Sequence, residues 1–309
     1  MSAQKVIIIP FAQKENASTS VNITNQSESV QIYLKNCCVA ATSAKYWNPD
    51  CDVLFVTNIE VPQPYIDILR QQQVEIVNQP FDAFCMPDEY AWSLAFYKLC
   101  ALKRILEKRN YSYYCYLDSD VYVQGSFECI WRECMDYILL YDINHGLQVQ
   151  DFRRFLEETQ KFTKREKIIT QYGGEFFAAS KENAKCFVED CEEVYKRMQQ
   201  EKFVTTLGDE FIISLVADGQ KTLIRNAGAY IYRFWTRAFF LVSTCYKFNA
   251  VIVLHVPSEK ERGMINLYNK FISKGKIPRL KQVHKMLHLT KPTWKSRIAI
   301  FLRDCNMIH

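Results

Sequence analysis

The chain has 309 residues, 49% of them hydrophobic and 14% aromatic, with a formal net charge of +5. That composition supplies a substantial core for one large or two tightly joined domains. It excludes a bilayer-spanning helix, because no stretch approaches the roughly 18 consecutive apolar residues such a span needs. The charge is uneven: residues 274–309 carry nine Lys and Arg against Asp304 alone, a local +8 that leaves −3 elsewhere.

Lys5–Phe11 is a β-branched run that reads as a strand, and 16–29 is a polar loop. From 28 to 46, Val30, Leu34, Cys37, Cys38 and Ala41 recur at helical spacing. Asp52–Thr57 predicts a second strand, 64–73 a short helix, 74–77 a third strand and 92–107 a long amphipathic helix, before a strand that ends at Asp118. This βαβαβ order implies an α/β fold with a mostly parallel sheet flanked by helices, in which ligands bind beyond the carboxyl ends of the strands. Pro10, Phe11, Ala12, Asn58 and Asp118 lie at such ends.

The second half is less regular. Residues 137–142 read as a strand, 151–163 as a charged helix, Tyr172–Ser180 as a Gly-Gly turn running into an aromatic strand, and 181–201 as a long helix. Gly208-Asp209-Glu210 opens a helix over 207–217, where acidic residues suit the N-terminus. Residues 250–256 form a strand ending in His255, after which the chain turns helical and basic.

The twelve cysteines show no CxxC pair of zinc-ligand spacing, and most lie in apolar stretches where free Cys acts as a small hydrophobe. The apolar run 6–11 is too short for a signal segment, so the chain is expected in a reducing cytosol, where the sequons at Asn16, Asn22, Asn25 and Asn110 stay unmodified.

Asp118-Ser119-Asp120 follows the apolar run Tyr113–Leu117. Side chains two apart on an extended chain share a face, so both carboxylates can approach one hard cation such as Mg²⁺ or Mn²⁺, which completes its shell with water and phosphate. Asp-Ser-Asp is also ordinary turn chemistry after a strand. Neither GxGxxG nor GxxxxGK[ST] occurs, so phosphate charge must be met by metal and basic side chains.

Three segments together resemble GT-A type, nucleotide-sugar-dependent glycosyltransferases. Phe96-Tyr97-Lys98-Leu99 followed by Tyr116-Leu117-Asp118-Ser119-Asp120 looks like their approach to the metal site. Tyr172-Gly173-Gly174-Glu175-Phe176-Phe177 is similar to the Tyr-Gly-Gly-x-Phe-Phe segment of blood-group-type retaining transferases. Gly208-Asp209-Glu210-Phe211 falls where that group has His-Asp-Glu-Ser and glycogenin-like enzymes have Asp-Gln. The resemblance spans about residues 5–257 and rests on short motifs.

The resemblance implies a GT-A-like domain over 1–257, with a nucleotide-binding half to about 125 and an acceptor half to 257, followed by a basic helical extension over 258–309. It implies a UDP-sugar donor, Mn²⁺ or Mg²⁺, and a glycan or lipid-linked glycan acceptor. Asp120 carries over as the more direct metal ligand and Asp118 as a ligand to metal or ribose. His255 is the preferred third ligand, with His288 in His-Leu-Thr-Lys-Pro-Thr-Trp as its rival. Pro10, Phe11, Ala12, Asn58, Lys98, Ser119, Gly173, Gly174 and Glu175 are donor-binding candidates, with Lys98 directed at phosphate and Glu175 at sugar hydroxyls. Glu210 and Asp209 are the catalytic candidates. Under retention Glu210 supports or attacks the oxocarbenium-like centre, and under inversion one of the pair deprotonates the acceptor.

Other readings remain in play. A haloacid-dehalogenase-type phosphatase wants Thr or Val where Tyr122 stands; a nucleotidyltransferase wants a Gly-rich basic loop after the first strand; a nucleotide-sugar-binding module without catalysis leaves Asp209 and Glu210 without a task. The tail sets Ile298, Ile300, Phe301 and Leu302 among basic residues, the pattern of a surface helix on anionic membrane or on the protein's own body; nucleic-acid binding explains the charge less well.

Overall fold

A computed structural model describes residues 4–14, 23–88, 90–144, 152–236 and 251–289, together with Trp294, Ile298 and Leu302. A central sheet is built from β1 (Lys5–Phe11), β2 (Asp52–Thr57), β3 (Glu75–Asn78), β4 (Tyr113–Leu117), β6 (Ile138–Asp142), β7 (Tyr172–Ser180) and β8 (Ile224–Asn226), in the order β3-β2-β1-β4-β7-β6-β8. All neighbouring pairs are parallel except those of β7, which runs antiparallel to both β4 and β6. The chain is therefore α/β with a mostly parallel sheet, as its element order predicts.

The inner strands β1, β2 and β4 read as nearly unbroken apolar runs because helices cover both sheet faces. Ile7, Ile9, Val53, Phe55, Cys115, Leu117, Phe176 and Ala178 face one core, while Val6, Ile8, Leu54, Val56, Tyr114, Tyr116, Phe177 and Ala179 face the other. The period-two alternation of side chains thus divides each strand between two cores. Helix α1 (Ser29–Trp47) lies on the first face with α2 (Gln63–Gln71) and α4 (Glu128–Glu133); α3 (Tyr97–Lys108), α5 (Phe152–Thr163), α6 (Lys181–Gln200) and α7 (Asp209–Gly219) cover the second. Met264 and Leu267 of α8 (Gly263–Lys270) and Val283 of α9 (Leu280–Met286) join the first core.

A smaller sheet sits at one end, with β5 (Val121–Val123) antiparallel and β9 (Ile231–Arg233) parallel to β10 (Val253–His255). β5, β8 and β9, of three residues each, are too short to show periodicity and are additions to the sequence reading, whereas β10 falls within the strand expected over 250–256. Two predicted elements change. The helix over 92–107 begins as a 3₁₀ turn, Ser93–Phe96, before α3 proper. Gly173-Gly174 does not turn: Tyr172–Ser180 is one continuous strand of nine residues.

β1 pairs with β4 only as far as Ile8 opposite Tyr116. Beyond that point the strands part, and Pro10, which has no N–H to give, lies in the gap. Among the described residues no helix is long and apolar enough to cross a membrane, and no cysteine is disulfide-bonded. Most of the tail over 290–309, where the surface-helix expectation falls, lies outside the described residues; Trp294 and Ile298 are 79% and 55% exposed.

Candidate active site

Asp118-Ser119-Asp120 is the link between the two sheets. β4 of the large sheet ends at Leu117, and β5 of the small one starts at Val121. The turn is pinned at both ends, since the Asp118 N–H donates to the Glu175 carbonyl (3.0 Å) and the Val256 N–H donates to the Asp120 carbonyl (3.0 Å). Inside it, the Ser119 N–H donates to Asp118 Oδ1 at 2.9 Å. Both readings of the motif therefore hold: it is a turn, and one that aims two carboxylates.

The register of the small sheet brings in His255, which pairs with Val121, the residue after Asp120. Asp118, Asp120 and His255 each offer one ligand atom, and these lie within 4.8 Å of one another, a spacing one cation can bridge. Asp120 is completely buried, and neither of its carboxylate oxygens accepts a well-directed hydrogen bond. Lys260 Nζ and His255 Nε2 approach Oδ2 at 2.8 and 3.3 Å, so both basic groups crowd one oxygen and leave Oδ1 without a protein hydrogen bond. A buried carboxylate with unused lone pairs is what a cation ligand looks like without its cation. The donor set of two carboxylates and an imidazole suits Mn²⁺, with Mg²⁺ as the harder alternative.

The charges around this centre alternate. Glu175, on β7, accepts two hydrogen bonds from the Arg233 guanidinium (2.8 and 2.7 Å) and lies 3.2 Å from His255 Nδ1. Arg233, on β9, reaches on to Glu210 Oε1 at 3.0 Å, and Gln171 Nε2 touches Glu210 Oε2 at 3.4 Å. Lys98, on α3, stands 3.2 Å from Asp209 Oδ2 and 3.8 Å from Asp118 Oδ2.

Titration follows from these neighbours. Burial alone would raise Asp120 and Glu175, but Lys260 and His255 at the first, and Arg233 and His255 at the second, outweigh it and hold both well below the usual carboxylate range. Burial would lower His255; Asp120 and Glu175 reverse this and raise it to about 9. Asp209 goes the other way, pushed up to about 6 by burial with help from Glu210 and Asp118, against the pull of Lys98. Glu210 is also raised, first by burial and then by Glu175, with Arg233 opposing.

Two cavities meet at Asp118 and Lys98. One, of about 270 Å³, is lined by Asp209, Glu210, Arg233, His255, Trp92 and Trp235 among others. The other, of about 130 Å³, is lined by Pro10, Phe11, Ala12, Tyr33, Ser119 and Lys260 among others, with Phe11 and Tyr33 stacked at 5.3 Å. The strand-end residues read from sequence thus fall on the second cavity, apart from Asn58. Its side chain exchanges two hydrogen bonds with the backbone of Gln13 (2.9 and 2.8 Å) and stiffens that loop.

Gly173 and Gly174 serve by size. A Cβ on Gly173 would meet Glu175 Oε2 at 1.9 Å, and one on Gly174 would meet Asp209 Oδ2 at 2.3 Å. The pair lets two buried carboxylates fold against the strand. His288 stands elsewhere: its Nδ1 is 2.8 Å from Glu259 Oε2. Arg233 and Lys260 were not singled out in the sequence. Arg233 sits in a three-residue strand with no pattern around it, and Lys260 merges into the basic C-terminal composition.

No protein-family model matches the chain, and no curated protein matches it. Among solved structures it is similar to mouse xyloside xylosyltransferase 1 in its apo form, at 10% identity and a TM-score of 0.49, over 82% of this chain and 97% of that one. A likeness at that level adds nothing to what the site itself argues.

Proposed function

We propose that the protein is a cation-dependent glycosyltransferase of GT-A type, moving a sugar from a nucleoside diphosphate sugar, UDP-linked by preference, to a glycan or lipid-linked glycan. The observation that carries this reading is the Asp118–Asp120–His255 cluster at the sheet's carboxyl edge, with a cavity on either side and Lys98 and Lys260 beside it. The second cavity, with stacked Phe11 and Tyr33 at its wall, suits a nucleoside; the larger one suits the donor sugar and the incoming hydroxyl.

Breaking the anomeric C–O bond leaves a diphosphate that carries the new charge. Asp118, Asp120 and His255 would hold Mn²⁺ or Mg²⁺, which when bound supplies Lewis-acid neutralisation of that charge. Lys260 and Lys98 add positive charge on the same side, each beside an aspartate of the cluster. Of the two acidic candidates, Glu210 is the better placed to act: its side chain is 22% exposed toward the larger cavity, whereas that of Asp209 is 2% exposed and spent on Lys98. Arg233 and Gln171 fix Glu210 from two sides. A carboxylate so fixed suits stabilisation of an oxocarbenium-like centre, and with it retention; an inverting enzyme would use the raised Glu210 as general base instead.

The test is a screen of UDP-, GDP- and CMP-sugars, with and without Mn²⁺, for thermal stabilisation and slow donor hydrolysis. A ligand at about 100 times its Kd stabilises a protein by about 2.7 kcal/mol, a plainly visible shift. The UDP-sugar with Mn²⁺ is expected to shift the wild type, and Asp120→Asn is expected to lose the shift. An Asp120→Asn protein that responds to metal and nucleotide like the wild type sinks the reading. A shift without hydrolysis or transfer marks a binding module, and the anomeric proton of any product, read by NMR, decides between retention and inversion.

A further inference from the structure

The cation cluster is only the inner part of a longer chain of contacts. His255 has two ring nitrogens, and the structure gives them different neighbours: Nε2 faces Asp120 at 3.3 Å, Nδ1 faces Glu175 at 3.2 Å. Glu175 is 1% exposed, and its two oxygens are already taken by the forked guanidinium of Arg233. It borders the larger cavity, but both of its oxygens are engaged within the protein, so contact with donor-sugar hydroxyls, the role its sequence context suggested, would compete with Arg233. A carboxylate so fixed has one further use, as acceptor for the remaining ring proton of a ligating histidine. Such a partner sets which nitrogen carries the proton, and so which one is left to bind the cation.

We propose that Glu175 and Arg233 are a positioning pair for the cation site: Glu175 accepts the Nδ1 proton of His255 and leaves Nε2 as the ligating nitrogen, while Arg233 anchors Glu175 and Glu210 together. The inference rests on the cation-dependent reading above and assigns it two residues that are not themselves cation ligands. Arg233 is suited to the task as no lysine is, because a planar fork can hold one carboxylate by two bonds and still donate to a second. Gly173 belongs to the same arrangement, since any larger residue there would displace the Glu175 carboxylate by contact at 1.9 Å. One consequence is that the cation ligand His255 and the candidate catalytic Glu210, which lie on different elements, are placed by a single side chain.

The experiment is a calorimetric titration of Mn²⁺ into the wild type, Glu175→Gln and Arg233→Lys, with ¹⁵N NMR of the histidine rings of the Mg²⁺-loaded wild type beside it. Loss of such an outer partner weakens cation binding by about 10–100-fold, and that range is expected for Glu175→Gln. Arg233→Lys keeps the charge but not the fork, so Mn²⁺ binding is expected to weaken several-fold while donor hydrolysis falls further, Glu210 having lost its partner. The NMR spectrum is expected to show the His255 proton on Nδ1, a readout that needs no variant to fold. Mn²⁺ binding unchanged in both variants, or a proton on Nε2 in the loaded wild type, overturns the inference while leaving the cation site intact. A wild type that binds no Mn²⁺ at all overturns both.

Discussion

Asp209 is the residue whose environment is most at odds with its charge. It is almost fully buried at the first turn of α7, with Glu210 next to it and Lys98 as its near cation at 3.2 Å. Burial and like charge raise it from an ordinary 3.8 to about 6, so the folded state binds a proton more tightly than the unfolded chain does. The sign follows: the protonated form contributes stability that is fully present below about pH 3.8 and is lost as pH rises through about 6. A gap of about two pKa units corresponds to roughly 2–3 kcal/mol. Asp209→Asn removes this titration, so in EDTA the variant is expected to gain on the wild type by on the order of 2 kcal/mol between pH 4.5 and 7.5, read as a difference in urea midpoints. A difference that stays constant over that range would mean Lys98 already satisfies the ionised form. At this scale much of the site was legible in the sequence: Asp118, Asp120, Asp209, Glu210 and His255 stand at strand ends or helix starts, where pattern and chemistry coincide. Arg233 and Lys260 were not, because what makes them part of the site is a partner distant in sequence, Glu175 in one case and Asp120 in the other.

The elements were legible in proportion to their length. β1, β2, α1 and α6 announce themselves by runs or spacing over many residues. β5, β8 and β9 have three residues each, and nothing local in such a segment distinguishes strand from loop. They form because other elements hold their backbones. Ser43 of α1 shows how: its hydroxyl accepts from the Val123 N–H at 3.0 Å and donates to the Ala40 carbonyl at 3.0 Å, all within the core. Asn48, one residue past α1, accepts from the Phe127 N–H at 2.7 Å. Helix α1 thus clamps both ends of the segment that leaves the Asp-Ser-Asp turn. Ser43→Ala strands a buried N–H, which costs about 1–3 kcal/mol. Because Val123 is the far end of β5, cation affinity is expected to fall as well, by a few-fold. Isothermal denaturation and Mn²⁺ titration of Ser43→Ala check this, and a variant destabilised but with unaltered Mn²⁺ affinity would show that β5 does not govern the turn.

On the scale of the molecule, the C-terminal third is tied into the site's supports. Leu287 and Leu289 are buried in the core shared with β1 and α1, and between them His288, at a positive φ of 55°, turns its ring outward to Glu259. Glu259 is itself buried beside Lys260 and gathers three donors from separate segments: the Thr236 hydroxyl, the Gly263 N–H at 3.2 Å and His288 Nδ1 at 2.8 Å. Burial would raise this carboxyl, but His288 and Thr236 hold it below its ordinary value, so it is an anion that depends on its partners. The chain positions of those partners matter, since Thr236 lies three residues past Arg233 and Lys260 follows Glu259 directly. A residue that sequence reasoning weighed as a cation ligand is therefore placed to brace the loop that carries Lys260. His288 is half-exposed, which limits what its loss can cost to about 1–2 kcal/mol. His288→Ala is expected to lower the urea midpoint accordingly and to raise the KM for the nucleotide donor several-fold with little change in kcat, because on the proposed reading Lys260 meets the donor diphosphate in the ground state as well as in the transition state and does not touch Glu210. Lys281→Ala, an exposed change on α9, is the control and should alter neither. A His288→Ala protein with lowered kcat, unchanged KM and lost Mn²⁺ affinity would instead behave as one that had lost a cation ligand, and the brace would have to be given up.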